Sequence, residues 1–243
     1  MLRYDPAWLL ASYRDERPAR PGLPYAELDG VGPLRVVKLA EPFRLQTVLD
    51  LEPKLPYNEA VTRLAEYDAA TRTLTVQKCL YSDGMKSNYA MEQLRGLFQA
   101  EYGHRLPPLS DARLANGIGT AVVVFTPAGP YLPRRARGQT VFPAGYHCTA
   151  SGEAVWNECA EGFDQIFTAN IYRELEEEVG LAPADLDWIR PVAFCREFLR
   201  GGKPQFFFAG YTKLSAEDLG ERRRAAIARQ IACLLYTSPS PRD

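Results

Sequence analysis

With 243 residues, 46% of them hydrophobic, the chain has enough apolar material for one large or two small domains. Its formal net charge of −1 argues against bulk nucleic-acid affinity, and no apolar run approaches the roughly 20 residues of a membrane helix. The N-terminal Met1-Leu-Arg-Tyr-Asp-Pro6 lacks a signal-peptide core, and cysteines 79, 148, 159, 195 and 233 form no Cys-x-x-Cys pair, so a cytoplasmic chain without zinc or disulfides is expected.

Residues 1 to about 110 read as a smaller α+β region. The segment to Pro33, rich in Pro and Arg, reads as an irregular arm. Leu34–Leu39 suggests a strand, and Val61–Tyr67 with Leu74–Leu80 a hairpin around Asp68-Ala-Ala-Thr-Arg72. Tyr81-Ser-Asp-Gly-Met85 is a polar turn that offers substrate contact, with a plain scaffold role as the alternative. Leu94, Leu97, Phe98 and Tyr102 then fall at helical spacing, with Ser87 to cap the start and Gly103 to end it. Pro107-Pro108 marks a linker.

Residues 111–232 read as the main domain. Gly117-Ile-Gly-Thr-Ala-Val-Val-Val-Phe125 is an apolar, β-branched strand; it opens like a dinucleotide loop but has neither the third glycine nor the following helix. A turn at Thr126–Pro130 leads to Tyr131–Arg137, whose Arg134, Arg135 and Arg137 suit bidentate pairing with phosphate or, alternatively, form a solvated basic edge. Residues 153–163 read as an enlarged loop, with Asp164 as N-cap of a helix starting near Gln165. Two strands, Trp188–Phe198 and Gln205–Tyr211, follow through Gly201-Gly-Lys-Pro204, and a helix with an Arg-rich face spans Glu221–Ala232.

The most informative stretch is Arg173-Glu-Leu-Glu-Glu-Glu-Val-Gly-Leu181. On a helix, Glu174, Glu177 and Glu178 share a face, and three like charges there repel each other. A bound cation would relieve that repulsion, and an all-oxygen set suits Mg²⁺ or Mn²⁺. Arg173, four residues before Glu177, can orient a carboxylate; Leu175 and Val179 form the docking stripe, and Gly180 fits a left-handed stop. On charge alone, an ordinary solvated acidic helix is the alternative.

The pattern Arg-Glu-Leu-x-Glu-Glu-x-Gly-Leu at 173–181 resembles the C-terminal half of the Nudix box. The resemblance implies an α/β fold, an α/β/α sandwich with a mixed sheet, and hydrolysis of a nucleoside diphosphate linked to another moiety or of a related organic diphosphate. It implies that Glu174, Glu177 and Glu178 bind the metal while Arg173 holds them. Gln165 and Cys159 stand where the family has a glutamate and a glycine. Thr149-Ala-Ser-Gly152 resembles the opening of the box if a seven-residue insertion follows, which assigns the metal-binding carbonyl to Gly152, with Gly162 as alternative. The general base often lies outside the box; Glu217 and Glu221 are candidates by location.

The expected partner is a small-molecule diphosphate or nucleotide, with no stable nucleic-acid or membrane partner and with homodimerisation open. The other readings are a non-catalytic domain that binds a nucleotide or ADP-ribose-like ligand as a sensor, and, more distantly, isomerisation on the same scaffold. With His104 and His147 as the only histidines, a histidine-dependent triad is poorly supplied. Cys233–Asp243 looks like a translated sequencing adapter rather than native sequence, so the native chain is expected to continue past Ala232; a native Ser-Pro tail is the alternative.

Overall fold

The computed structural model describes residues 25–27, 34–53, 58–134 and 145–237. In chain order the elements are β1 (Tyr25–Glu27), β2 (Arg35–Lys38), β3 (Ala60–Asp68), β4 (Thr73–Leu80), α1 (Tyr81–Met85), α2 (Met91–Tyr102), β5 (Gly119–Thr126), β6 (Gly129–Tyr131), β7 (Ala150–Glu153), α3 (Ala169–Val179), β8 (Trp188–Glu197), β9 (Lys203–Tyr211) and α4 (Ala216–Thr237). The architecture is mixed α/β. One sheet runs β1-β8-β9-β5-β6 with β7 beside β5, and a second runs β2-β4-β3. Two compact units alternate along the sequence: Met1–Gly119, Glu153–Ile166 and Val192–Phe206 form the first, and Thr120–Gly152, Phe167–Pro191 and Phe207–Asp243 the second.

In the first unit, apolar residues at alternate positions drive the β3–β4 hairpin, with Leu64 opposite Val76 and Tyr67 opposite Leu74. Leu64, Leu74 and Val76 are fully buried. The connecting turn is closed by Asp68, whose carboxylate accepts the Thr71 hydroxyl at 2.6 Å and the N–H of Ala70 at 2.9 Å. Those bonds, the Thr71 hydroxyl foremost, hold the Asp68 carboxyl below its ordinary value. Strand β2 joins β4 in parallel, so this small sheet is mixed. Buried Arg63 donates to Leu109 O at 2.9 Å and lies over the Phe43 ring; burial lowers its pKa to about 10.

Helix α2 buries Met91, Leu94 and Phe98 against Leu114. Leu97, expected on that face, is exposed, because the stripe follows 91, 94 and 98 and leaves 97 at its edge. The expected polar turn at 81–85 is instead the short helix α1, where Asp83 accepts the Leu80 N–H at 3.0 Å. The arm expected to be irregular contributes a strand: β1 pairs antiparallel with Ala193–Cys195. Gly117 leaves room for Glu153, since a Cβ there would stand 2.5 Å from Glu153 Oε2. Glu153 accepts the Tyr89 hydroxyl at 2.7 Å and lies 3.5 Å from Lys203 Nζ, an ammonium only 2% exposed.

In the second unit, β5 and β6 form a hairpin with Val124 opposite Tyr131. Helix α4 opens on a Ser-x-x-Asp box: Ser215 Oγ accepts the Asp218 N–H at 3.1 Å, and Asp218 accepts the Ser215 N–H at 2.9 Å. This helix was expected to stop at Ala232. It continues to Thr237, so the first residues of the segment read as an adapter prolong it. Among the described residues, no helix is long and apolar enough to cross a membrane.

Candidate active site

Strong helix formers and apolar residues at i, i+4 and i+8 make α3 and orient it: Ile171, Leu175 and Val179 are fully buried. Its end is the left-handed stop anticipated at Gly180, with φ 73° and ψ 31°. Gly180 N–H bonds Glu176 O at 3.0 Å, the single bond of a left-handed cap, and Leu181 N–H bonds Leu175 O at 3.1 Å. Its start differs from expectation. Asp164 does not cap a helix but lies in a π-helical turn, Asp164–Thr168, that runs into α3. The widened turn takes up extra chain without breaking the helical path. Gln165 accepts the Glu161 N–H at 2.9 Å and so ties down the preceding loop.

Arg173 is the hub of the acidic face. One guanidinium nitrogen donates to both Glu177 oxygens, at 2.9 and 3.1 Å, and the other to Glu174 Oε1 at 2.5 Å and Asn170 Oδ1 at 3.0 Å. The pairing with Glu177 follows the i, i+4 spacing; the grip on Glu174 makes the arginine a fork between two carboxylates. Glu174 is 7% exposed, and a buried carboxylate requires such a partner. Glu177 is exposed and Glu178 half-buried.

Gly152, on β7, is brought directly to Glu174: a Cβ at 152 would fall on the Glu174 carboxylate. The contact crosses the 153–163 loop, so the intervening chain returns the two residues to one place. Two residues not singled out in the sequence complete this network. Asn170 Nδ2 donates to Thr120 Oγ1 at 2.9 Å, and the Thr120 hydroxyl donates to the Gly152 carbonyl at 3.3 Å. Asn170 carries a sequence signal, three residues before Arg173 on one helix face; Thr120, on a distant strand, carries none.

The remaining candidates are distributed differently. Arg134 is exposed and forms a single antiparallel bridge with Tyr146, while Arg135 and Arg137 lie outside the described residues. Glu217 and Glu221 are exposed on α4. His147, one of only two histidines and so not offered for a triad, stands 3.2 Å from Cys148 Sγ through Nδ1 and 3.3 Å from Ser151 Oγ through Nε2. Among the described residues, no three His, Cys, Asp or Glu side chains converge as a metal-ligand group.

No protein-family model matches the chain, and no curated protein matches it. Among solved structures it is similar to the crystal structure of DR0079 from Deinococcus radiodurans, at 17% identity and a TM-score of 0.32, over 41% of this chain and 57% of that one. The match thus spans little more than half the length of that protein, and at this level of likeness the side chains alone carry the functional reading.

Proposed function

We propose that the chain is a Nudix-type, metal-dependent hydrolase of diphosphate bonds, acting on a nucleoside diphosphate linked to another moiety or a related organic diphosphate. The observation that carries the reading is Glu174, a buried carboxylate gripped by Arg173 and laid against the bare Cα of Gly152. That arrangement suits a hard divalent ion: the donors are all oxygen, and the space a Cβ would fill at 152 is given to a carboxylate. Glu174, Glu177 and Glu178, with the Gly152 carbonyl, would hold Mg²⁺ or Mn²⁺. Bound there, the ion supplies neutralisation of phosphate charge and a more acidic water.

The chain's own residues do the rest. Arg173 sets the orientation of Glu174 and Glu177, and Asn170 and Thr120 fix the arginine and the Gly152 carbonyl in turn. Arg134, Arg135 and Arg137 would pair with substrate phosphate through guanidinium forks. The test is release of phosphate or nucleotide from a panel of diphosphate-linked compounds with Mg²⁺ or Mn²⁺. Glu177→Gln is expected to lower turnover by about 10²-fold or more while the melting temperature is retained; unchanged turnover in a folded variant counts against the assignment.

One observation favours a second reading, a domain that binds a nucleotide or ADP-ribose-like ligand without cleaving it. Gln165, where the family has a glutamate, is engaged in closing a loop. Saturable ligand binding without product from any compound in the panel would select this alternative.

A further inference from the structure

The last turn of α3 presents Glu177 and Glu178, and neither carboxylate is fixed by burial in the core. Arg173 holds the Glu177 carboxylate, and the backbone beneath both residues sets where they project. A helix end leaves its last carbonyls without intrahelical donors and frays unless donors come from elsewhere. Gly180 and Leu181 account for the carbonyls of Glu176 and Leu175. Helix α4 supplies others. Gln230 Nε2 donates to Glu177 O at 2.9 Å, Arg223 Nη1 to Glu178 O at 3.4 Å, and Arg222 Nη1 to Gly180 O at 3.3 Å.

These donors follow the helical period. Positions 222, 223 and 230 share a face of α4 with Leu219 and Ala226, both buried. Arg222 is itself fixed by Asp185 at 2.7 Å. The two guanidinium groups also set positive charge at the negative end of the α3 dipole. The Arg-rich face of this helix therefore spends two arginines on the neighbouring helix.

We infer that α4 is a positioning element for the acidic site. Gln230 and Arg223 hold the carbonyls of the two residues whose carboxylates project from the last turn of α3, and so fix where those carboxylates are presented. This rests on the metal-site reading above and extends the site to a helix that contributes no ligand.

Mn²⁺ binding by the full chain, followed by the spin-resonance signal of free Mn²⁺, tests it with two variants of an exposed residue. Gln230→Met removes the donor and Gln230→Lys keeps one, while melting in EDTA reports the metal-free fold. The Met variant is expected to bind Mn²⁺ about 10-fold more weakly and the Lys variant close to wild type, with metal-free melting little changed in both. Equal affinity in all three chains, or equal weakening in both variants, overturns the positioning role and leaves the metal-site reading standing. Absence of Mn²⁺ binding by the wild-type chain overturns that reading and the role of α4 with it.

Discussion

Gly152 owes its identity to Glu174, whose carboxylate lies where a side chain at 152 would be. The obstacle is a buried carboxylate held by Arg173, so Gly152→Ala, which must displace it, is expected to cost about 1 to 3 kcal/mol of stability. The displaced carboxylate would leave Arg173, and Mn²⁺ affinity is expected to fall about 10-fold or more. Urea unfolding and a Mn²⁺ titration on the same variant separate the two effects; wild-type affinity would remove the Gly152–Glu174 contact from the site. At this scale the Arg173–Glu177 pair was legible, because four-residue spacing on a helix implies it. Thr120 was not, because its bond to Asn170 links residues 50 positions apart.

Among elements, α3 was the most legible and its two ends show why. Gly180 was readable as a stop because a left-handed residue after an acidic, amphipathic run favours glycine. Gly180→Ala is expected to destabilise the chain by about 1 to 2 kcal/mol, seen as a lower urea midpoint with unchanged m-value. The start was misread because Asp164 satisfies a local capping pattern, whereas a π-helical turn continues through it. Strand β1 escaped notice for a related reason: three residues in a Pro- and Arg-rich arm carry no period, and their pairing with Ala193–Cys195 makes them a strand. Of the Gly-x-Gly at 117–119, read as strand, Gly119 opens β5 while Gly117 forms an isolated bridge with Arg63, and the glycines leave room for the Glu153 carboxylate and the Gln205 amide.

For the whole molecule, the buried Cys79 and half-buried Cys195 thiols set a pH limit on stability. Burial pushes Cys195 up from 9.0 to about 12 and raises Cys79 as well. The folded chain holds these protons more tightly than the unfolded one, so their contribution is complete below about pH 9 and is lost as pH rises toward 12. Unfolding free energy is therefore expected to decline between about pH 9 and about pH 12, and Cys195→Ala to flatten part of that decline. Equilibrium unfolding at about pH 8 and about pH 11 measures the difference; identical slopes would exclude the Cys195 thiol as a contributor. Sequence alone determined the β3–β4 hairpin, strand β5, the acidic helix and its glycine stop, since each is written in a period or a turn within a few neighbouring residues. Only the tertiary structure decided that Gly152 meets Glu174, that Thr120 reaches Asn170 and that α4 supplies donors to the α3 carbonyls. Such contacts join distant segments, leave no periodic trace in the chain, and are selected when folding buries polar groups that must find partners.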